Sequence, residues 1–137
     1  MGELFGDVNK AIHQKLDEVL DRPKKKHDGR YFILVNGEVI PATALEWGLW
    51  FENNDNRRVA ETDVGDVAVS TVCLGLNHAV RSVRPIIFET MIFGGEYDES
   101  QWRYSTLEEA VAGHNIVVEC LRGGTDPSPV MNSTLRY

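Results

Sequence analysis

Two cysteines in 137 residues, Cys73 and Cys120, are too few for a disulfide framework, and their separation matches neither a CxxC redox pair nor a zinc site. Each is expected as a small buried hydrophobe, one in a strand and one on the apolar side of a helix. The four histidines, His13, His27, His78 and His114, show no HExxH or paired His/Cys spacing, so no metal is expected. There is no GxSxG elbow, and neither Gly94-Gly95 nor Gly123-Gly124 is followed by the Lys-Ser/Thr of a phosphate loop, so no cofactor is expected either. No apolar run reaches the length of a membrane span. The opening MGELFGD lacks the basic flank and apolar stretch of a secretory signal, and position 6 is Gly where myristoylation favours Ser or Thr. A cytoplasmic protein without membrane attachment is the expectation.

Positive charge is scarce outside the first 30 residues, which hold seven Lys/Arg against six Asp/Glu, whereas residues 31–137 hold seven against fifteen. With a net charge of -7, such a surface repels phosphate backbones, and direct nucleic-acid binding is not expected. The exception, Lys24-Lys25-Lys26 between Arg22 and Arg30, reads as a solvated linker. Hydrophobic content of 42% and the length suit one self-sufficient core.

Leu4, Phe5, Val8, Ile12, Leu16, Val19 and Leu20 recur at three- and four-residue spacings, which predicts an amphipathic helix over residues 4–21, stopped by Pro23. With its linker this makes an N-terminal unit of residues 1–30, free to pack on its own core or to pair copies of the chain into a homo-oligomer. Tyr31–Val35 and Glu38–Ile40 flank Asn36-Gly37, the preferred pair for a two-residue hairpin. Thr43 with Glu46 forms a capping box for a helix to about Asn53, whose Trp47, Trp50 and Phe51 suit a core. Strands are expected over 57–64, 67–76 and 86–93, the last two central because apolar residues occupy both alternation classes. Ser105 with Glu108 signals a second capping box, opening a helix with the stripe Leu107, Ala110, Val111, His114, Val117, Val118 and Leu121 that ends at Gly123-Gly124. Residues 125–137, with two prolines and no periodicity, read as a flexible tail. The order predicts an α+β core domain over 31–124. Its mostly antiparallel sheet has about five strands, an inserted helix and a C-terminal helix packed on the sheet.

Chemistry concentrates where strand 67–76 gives way to strand 86–93. His78 at the strand exit can serve as acid, base or ligand, or can brace the loop. Glu89 is its candidate catalytic partner; alternatively Glu89 makes a buried pair with Arg81, Arg84 or Arg103 that holds strands together. Ser70, Thr71 and Cys73 lie mid-strand, without the exposed geometry nucleophiles use. Trp102-Arg103-Tyr104 sets a cation between two aromatics, a trio able to stack a planar base or to anchor its loop on the sheet. The candidate ligand-binding set is therefore His78, Arg81, Arg84, Trp102, Arg103 and Tyr104.

RRVAETDVGDVAVSTVCLGLNHA, PIIFETMIFGG and RYSTLEEAVAGH, spread over residues 57–114, resemble a family of small uncharacterised tailed-phage and prophage proteins with the pattern STVxLGLxH, FETMxFGG and RYSTxxEAxAGH. Relatives commonly carry Asp before the His where this chain has Asn77, and a Gly-rich loop after it. The resemblance implies a phage origin and no particular activity. It leads to the expectation of a non-enzymatic counter-defence or host-takeover protein that binds a host protein or a small nucleotide signal. The alternatives are a small hydrolase using His78 and Glu89, or a virion or assembly accessory.

Overall fold

The computed structural model describes residues 29–79 and 84–134. Strands β1 (Tyr31–Val35) and β2 (Glu38–Ala42) form an antiparallel hairpin, followed by α1 (Ala44–Phe51) and the single turn α2 (Asn54–Arg57). A four-stranded antiparallel meander comes next, β3 (Arg58–Val64), β4 (Val67–Cys73), β5 (Phe88–Phe93) and β6 (Gln101–Tyr104), in that spatial order. Helices α3 (Leu107–Arg122) and α4 (Ser128–Thr134) close the chain. The α+β class holds, with β4 and β5 central as their two-sided apolar pattern requires.

Local chemistry sets the boundaries. Asn36 and Gly37 both have positive φ, 51° and 79°, as the expected hairpin turn demands. Thr43 caps α1: its hydroxyl accepts from the Glu46 N–H while the Glu46 carboxylate accepts from the Thr43 N–H. The second capping box is displaced by one residue from expectation. Thr106 and Glu109 form it, and Ser105 is instead buried at the end of β6. Each such cap contributes about 1 kcal/mol.

Helix α3 packs across all four strands of the meander and buries Ala110, His114, Val117 and Val118. Together with Val69, Phe88, Ile92, Trp102 and Tyr104 from the sheet, and Ile33 and Trp50 from the hairpin module, these make one core. Val111, expected in the stripe, is exposed because it falls one step to the side of it.

A row of polar side chains runs beneath α3. Tyr104 Oη donates to Thr90 Oγ1 (3.0 Å), Thr90 Oγ1 bonds Thr71 Oγ1 (2.5 Å), Thr71 Oγ1 bonds His114 Nδ1 (2.8 Å), and His114 Nε2 bonds Thr62 Oγ1 (2.9 Å). One residue comes from each strand of the meander and one from the helix. Close approach requires Gly113: a Cβ there would lie 2.2 Å from Tyr104 Oη.

The hairpin module joins the meander at Gly75. Leu74 and Gly75 N–H both point at the Ile87 carbonyl (2.7 and 3.4 Å), and Gly75 turns at φ 69° so that its own carbonyl accepts from Phe32 N–H (2.7 Å). Strand β4 therefore ends at Cys73 and not at Leu76. Trp47 Nε1 donates to the Leu74 carbonyl and Trp50 Nε1 to that of Leu34, both at 3.0 Å, so the two indoles serve the core as expected.

Three expectations are corrected. The strands number six in two sheets, because Gln101–Tyr104 pairs with β5 as an additional edge strand. Residues 128–134 are helical and not a flexible tail: Met131 is wholly buried and Trp102 Nε1 donates to Asn132 Oδ1 (3.3 Å). Pro129 fits in the first turn of α4, where a missing N–H breaks no helical bond. Strand β3 starts one residue late because Asn53 caps α2 through its side chain. The amphipathic helix over 4–21 lies outside the described residues.

Replacing Gly75 by Ala should destabilise the protein by about 2–5 kcal/mol, combining left-handed strain with a Cβ placed 2.3 Å from the Phe32 carbonyl oxygen. Gly48→Ala, in α1 with nothing within 4 Å, should instead stabilise by about 0.5–1 kcal/mol. Urea unfolding of the two variants gives opposite shifts on this account, and like-signed shifts would sink it.

Candidate functional site

Past Gly75 the chain bridges Tyr31 of β1 through Leu76 and is then held by Asn77. The Asn77 backbone N–H donates to the Arg30 carbonyl (2.9 Å) and its Nδ2 to the Gly29 carbonyl (3.1 Å). Its Oδ1 accepts from Ala79 N–H (2.8 Å) and Ile86 N–H (3.1 Å). The amide thus clasps both the incoming chain and the neck of the following loop. A carboxylate there has no proton to give Gly29, a physical reason for Asn at this position.

His78 follows on that neck, its backbone N–H donating to the Ile86 carbonyl (2.8 Å). Strand alternation sets Val72, Glu89, Met91, Phe93 and Arg103 on the side of the sheet turned away from Thr71, Thr90 and α3. Glu89 and Arg103 stand opposite each other in the β5–β6 register, with Arg103 Nε 3.0 Å from Glu89 Oε2. The Glu89 side chain keeps only 12% of its surface exposed against 40% for Arg103, so the carboxylate is the largely desolvated partner.

His78 is electrostatically coupled to this pair. Burial holds its imidazole below the ordinary range, the Arg103 guanidinium lowers it further, and the Glu89 carboxylate opposes both. His78 is consequently neutral at neutral pH. Its Nε2 is enclosed without a hydrogen-bond partner among the described residues. The arrangement offers a neutral imidazole and a fixed ion pair on one face, a polar centre with one unsatisfied nitrogen.

The structure brings together His78, Glu89 and Arg103 from the candidate set and sets Arg84, Trp102 and Tyr104 apart from them. Arg84 reaches the opposite way, its Nη2 2.8 Å from Glu109 Oε1 at the first turn of α3. Trp102 and Tyr104, 8% and 0% exposed, lie under α3 and α4, on the other face from Arg103, so the three form no stacking platform. Alternation along β6 is the reason: successive side chains point to opposite faces. Arg81 lies outside the described residues. Cys73 is no nucleophile, since burial pushes its thiol up to about 12 and leaves it protonated. Among the described residues no cluster of three potential metal ligands occurs, and no helix is long and apolar enough to cross a membrane.

Sequence reasoning missed the polar row under α3. Its signal was present: Thr62, Thr71 and Thr90 occur within strands, and His114 interrupts an otherwise apolar helix stripe.

The chain matches no protein-family model, and no curated protein or solved structure is significantly similar to it.

The coupling at the site gives a directional test. Arg103→Ala should raise the His78 pKa by removing the cation that lowers it, and Glu89→Gln should lower it by removing the opposing anion. NMR titration of the His78 ring protons reads both. Shifts of the same sign in the two variants would show that the three groups do not form one cluster.

Proposed function

We propose that the chain is a non-enzymatic binding protein that engages a partner protein through the sheet face turned away from α3. Its polar centre is Arg103, Glu89 and His78, and its apolar surround is Val72, Met91 and Phe93. The observation that carries this reading is Phe93, an aromatic ring 50% exposed on the same face as an Arg–Glu pair whose carboxylate is largely desolvated. Aromatic residues, Met and Arg are the residues that protein interfaces concentrate. A small nucleotide signal is the less favoured ligand, because the rings that would stack its base, Trp102 and Tyr104, are enclosed in the core.

Several further observations support binding over turnover. The Glu89 carboxylate is engaged by Arg103, the hydroxyls of Thr71 and Thr90 are spent in the row under α3, and the Cys73 thiol is protonated and buried. The resemblance of residues 57–114 to tailed-phage proteins supports a host protein as the partner, with counter-defence or host takeover in the host cytoplasm as the consequence. A second reading, a small hydrolase, draws on the enclosed and unpartnered His78 Nε2 beside Glu89.

Affinity capture from host extract tests the proposal. Phe93→Asp and Arg103→Glu should each weaken capture of one and the same protein by roughly 30-fold or more, the scale of a central interface residue. Val130→Asp, at an exposed apolar position on α4, should leave it unchanged. Capture indifferent to Phe93 and Arg103 removes this face from the function. Ester or phosphoester turnover abolished by His78→Ala in a folded variant would establish the hydrolase instead.

A further inference from the structure

The row beneath α3 has a direction. Tyr104 Oη gives its proton to Thr90 Oγ1, and every contact of the row is made when the Thr90 hydroxyl in turn donates to Thr71 and the Thr71 hydroxyl to His114 Nδ1. Nδ1 is then an acceptor and the proton of the neutral ring sits on Nε2, facing Thr62 Oγ1 at 2.9 Å. The row ends on Thr62, which is partly exposed on the edge strand β3.

A protonated ring is incompatible with that order. Nδ1–H would have to donate to Thr71 Oγ1, so the proton that Thr71 gave the ring must pass to Thr90 and displace the Thr90 proton, or leave the row itself. Among the described residues no charge is at hand to compensate. Of the elements packed on α3, β3 to β6 present to His114 only two titratable groups, the neutral Cys73 thiol and the neutral Tyr104 phenol, and α4 contains no charged residue. The charged side chains of α3 itself lie elsewhere: Glu108, Glu119 and Arg122 are exposed, and Glu109 is engaged by Arg84 and the Thr106 cap. Burial accordingly holds the His114 imidazole below its ordinary range.

We propose that His114 is an acid-operated latch: proton uptake at Nδ1 turns a threonine hydroxyl proton out of the row and releases α3, with α4 packed on it, from the sheet. The sign follows from linkage. The unfolded chain takes up this proton near pH 6.5 and the native protein only at lower pH, so the folding equilibrium constant is unaffected above that range. Below it the constant falls by up to about tenfold per pH unit until the native ring also titrates.

Two measurements on the full chain test the latch. At pH 7, imidazole nitrogen shifts should report an Nε2–H tautomer for His114; an Nδ1–H tautomer or a charged ring overturns the assignment. Native-state hydrogen exchange, corrected for intrinsic rates, should show α3 amides losing protection between pH 7.5 and 5.0 before those of β4 and β5. This order also separates the latch from His78, which lies on the other face. Uniform loss across helix and sheet, or none, overturns the release. His114→Gln, which keeps one donor and one acceptor but does not titrate, should abolish the selective loss; should that variant not fold, the two wild-type measurements still decide.

Discussion

The centre of the sheet holds two threonine hydroxyls that water cannot reach. Thr71 and Thr90 face each other across β4 and β5, both wholly buried, and each must find its partners inside the protein. An intramolecular hydrogen bond contributes about 1 kcal/mol net, whereas a buried hydroxyl left without one costs about 1–3 kcal/mol. The row from Tyr104 to Thr62 is therefore worth more as a constraint than as a sum of attractions. A slip of one residue in any strand would turn its threonine to the other face and orphan the neighbours. The position of α3 answers to the same demand: a helix that must deliver His114 to Thr71 has to come down onto Tyr104, and only a residue without Cβ at position 113 allows it. A mid-helix Gly costs about 1 kcal/mol in propensity, which the satisfied row offsets.

A second constraint governs how the hairpin module meets the meander. Gly75 lets β4 turn aside with both Leu74 and Gly75 N–H directed at one carbonyl, and the Trp47 indole seals the turn by bonding the Leu74 carbonyl. The backbone groups released by ending β4 early are thereby paired with β1 and α1 and not left to solvent. Asn77 continues the logic one step further, so the loop neck, the incoming chain and the end of the sheet share one amide. His78 is placed by this chain of necessities, as the next residue on a neck whose width Asn77 sets.

Local signals were legible in the sequence because their causes are local. Asn36-Gly37 demands positive φ at both positions, and Thr43 with Glu46 closes a box within one helical turn. The Arg103–Glu89 pair was foreseen among several arginines but not singled out, since only the β5–β6 register sets Arg103 opposite Glu89. What escaped were features that exist only once strands are aligned. Four residues spread from Thr62 to Tyr104 meet around His114, and an apparently structureless tail gains a buried side for Met131 only when Trp102 and α3 are already in place. The error over Trp102-Arg103-Tyr104 has the same origin: adjacency in sequence suggested one surface, and strand alternation splits it between two.

That split orders the functional argument. Polar groups on the α3 face, the three threonines, His114 and Tyr104, are committed to one another. On the opposite face the His78 Nε2 is enclosed without a partner among the described residues, beside a pair whose carboxylate is nearly out of water. A carboxylate taken largely out of water loses hydration that its partner only partly restores, and removing Arg103 would leave that charge uncompensated. The fold has no need of it to close the core, which lies on the other side of the sheet. A pair of that kind fits a surface where a fixed charge pattern must meet a complementary one, because orientation and discrimination are what such pairs supply most effectively.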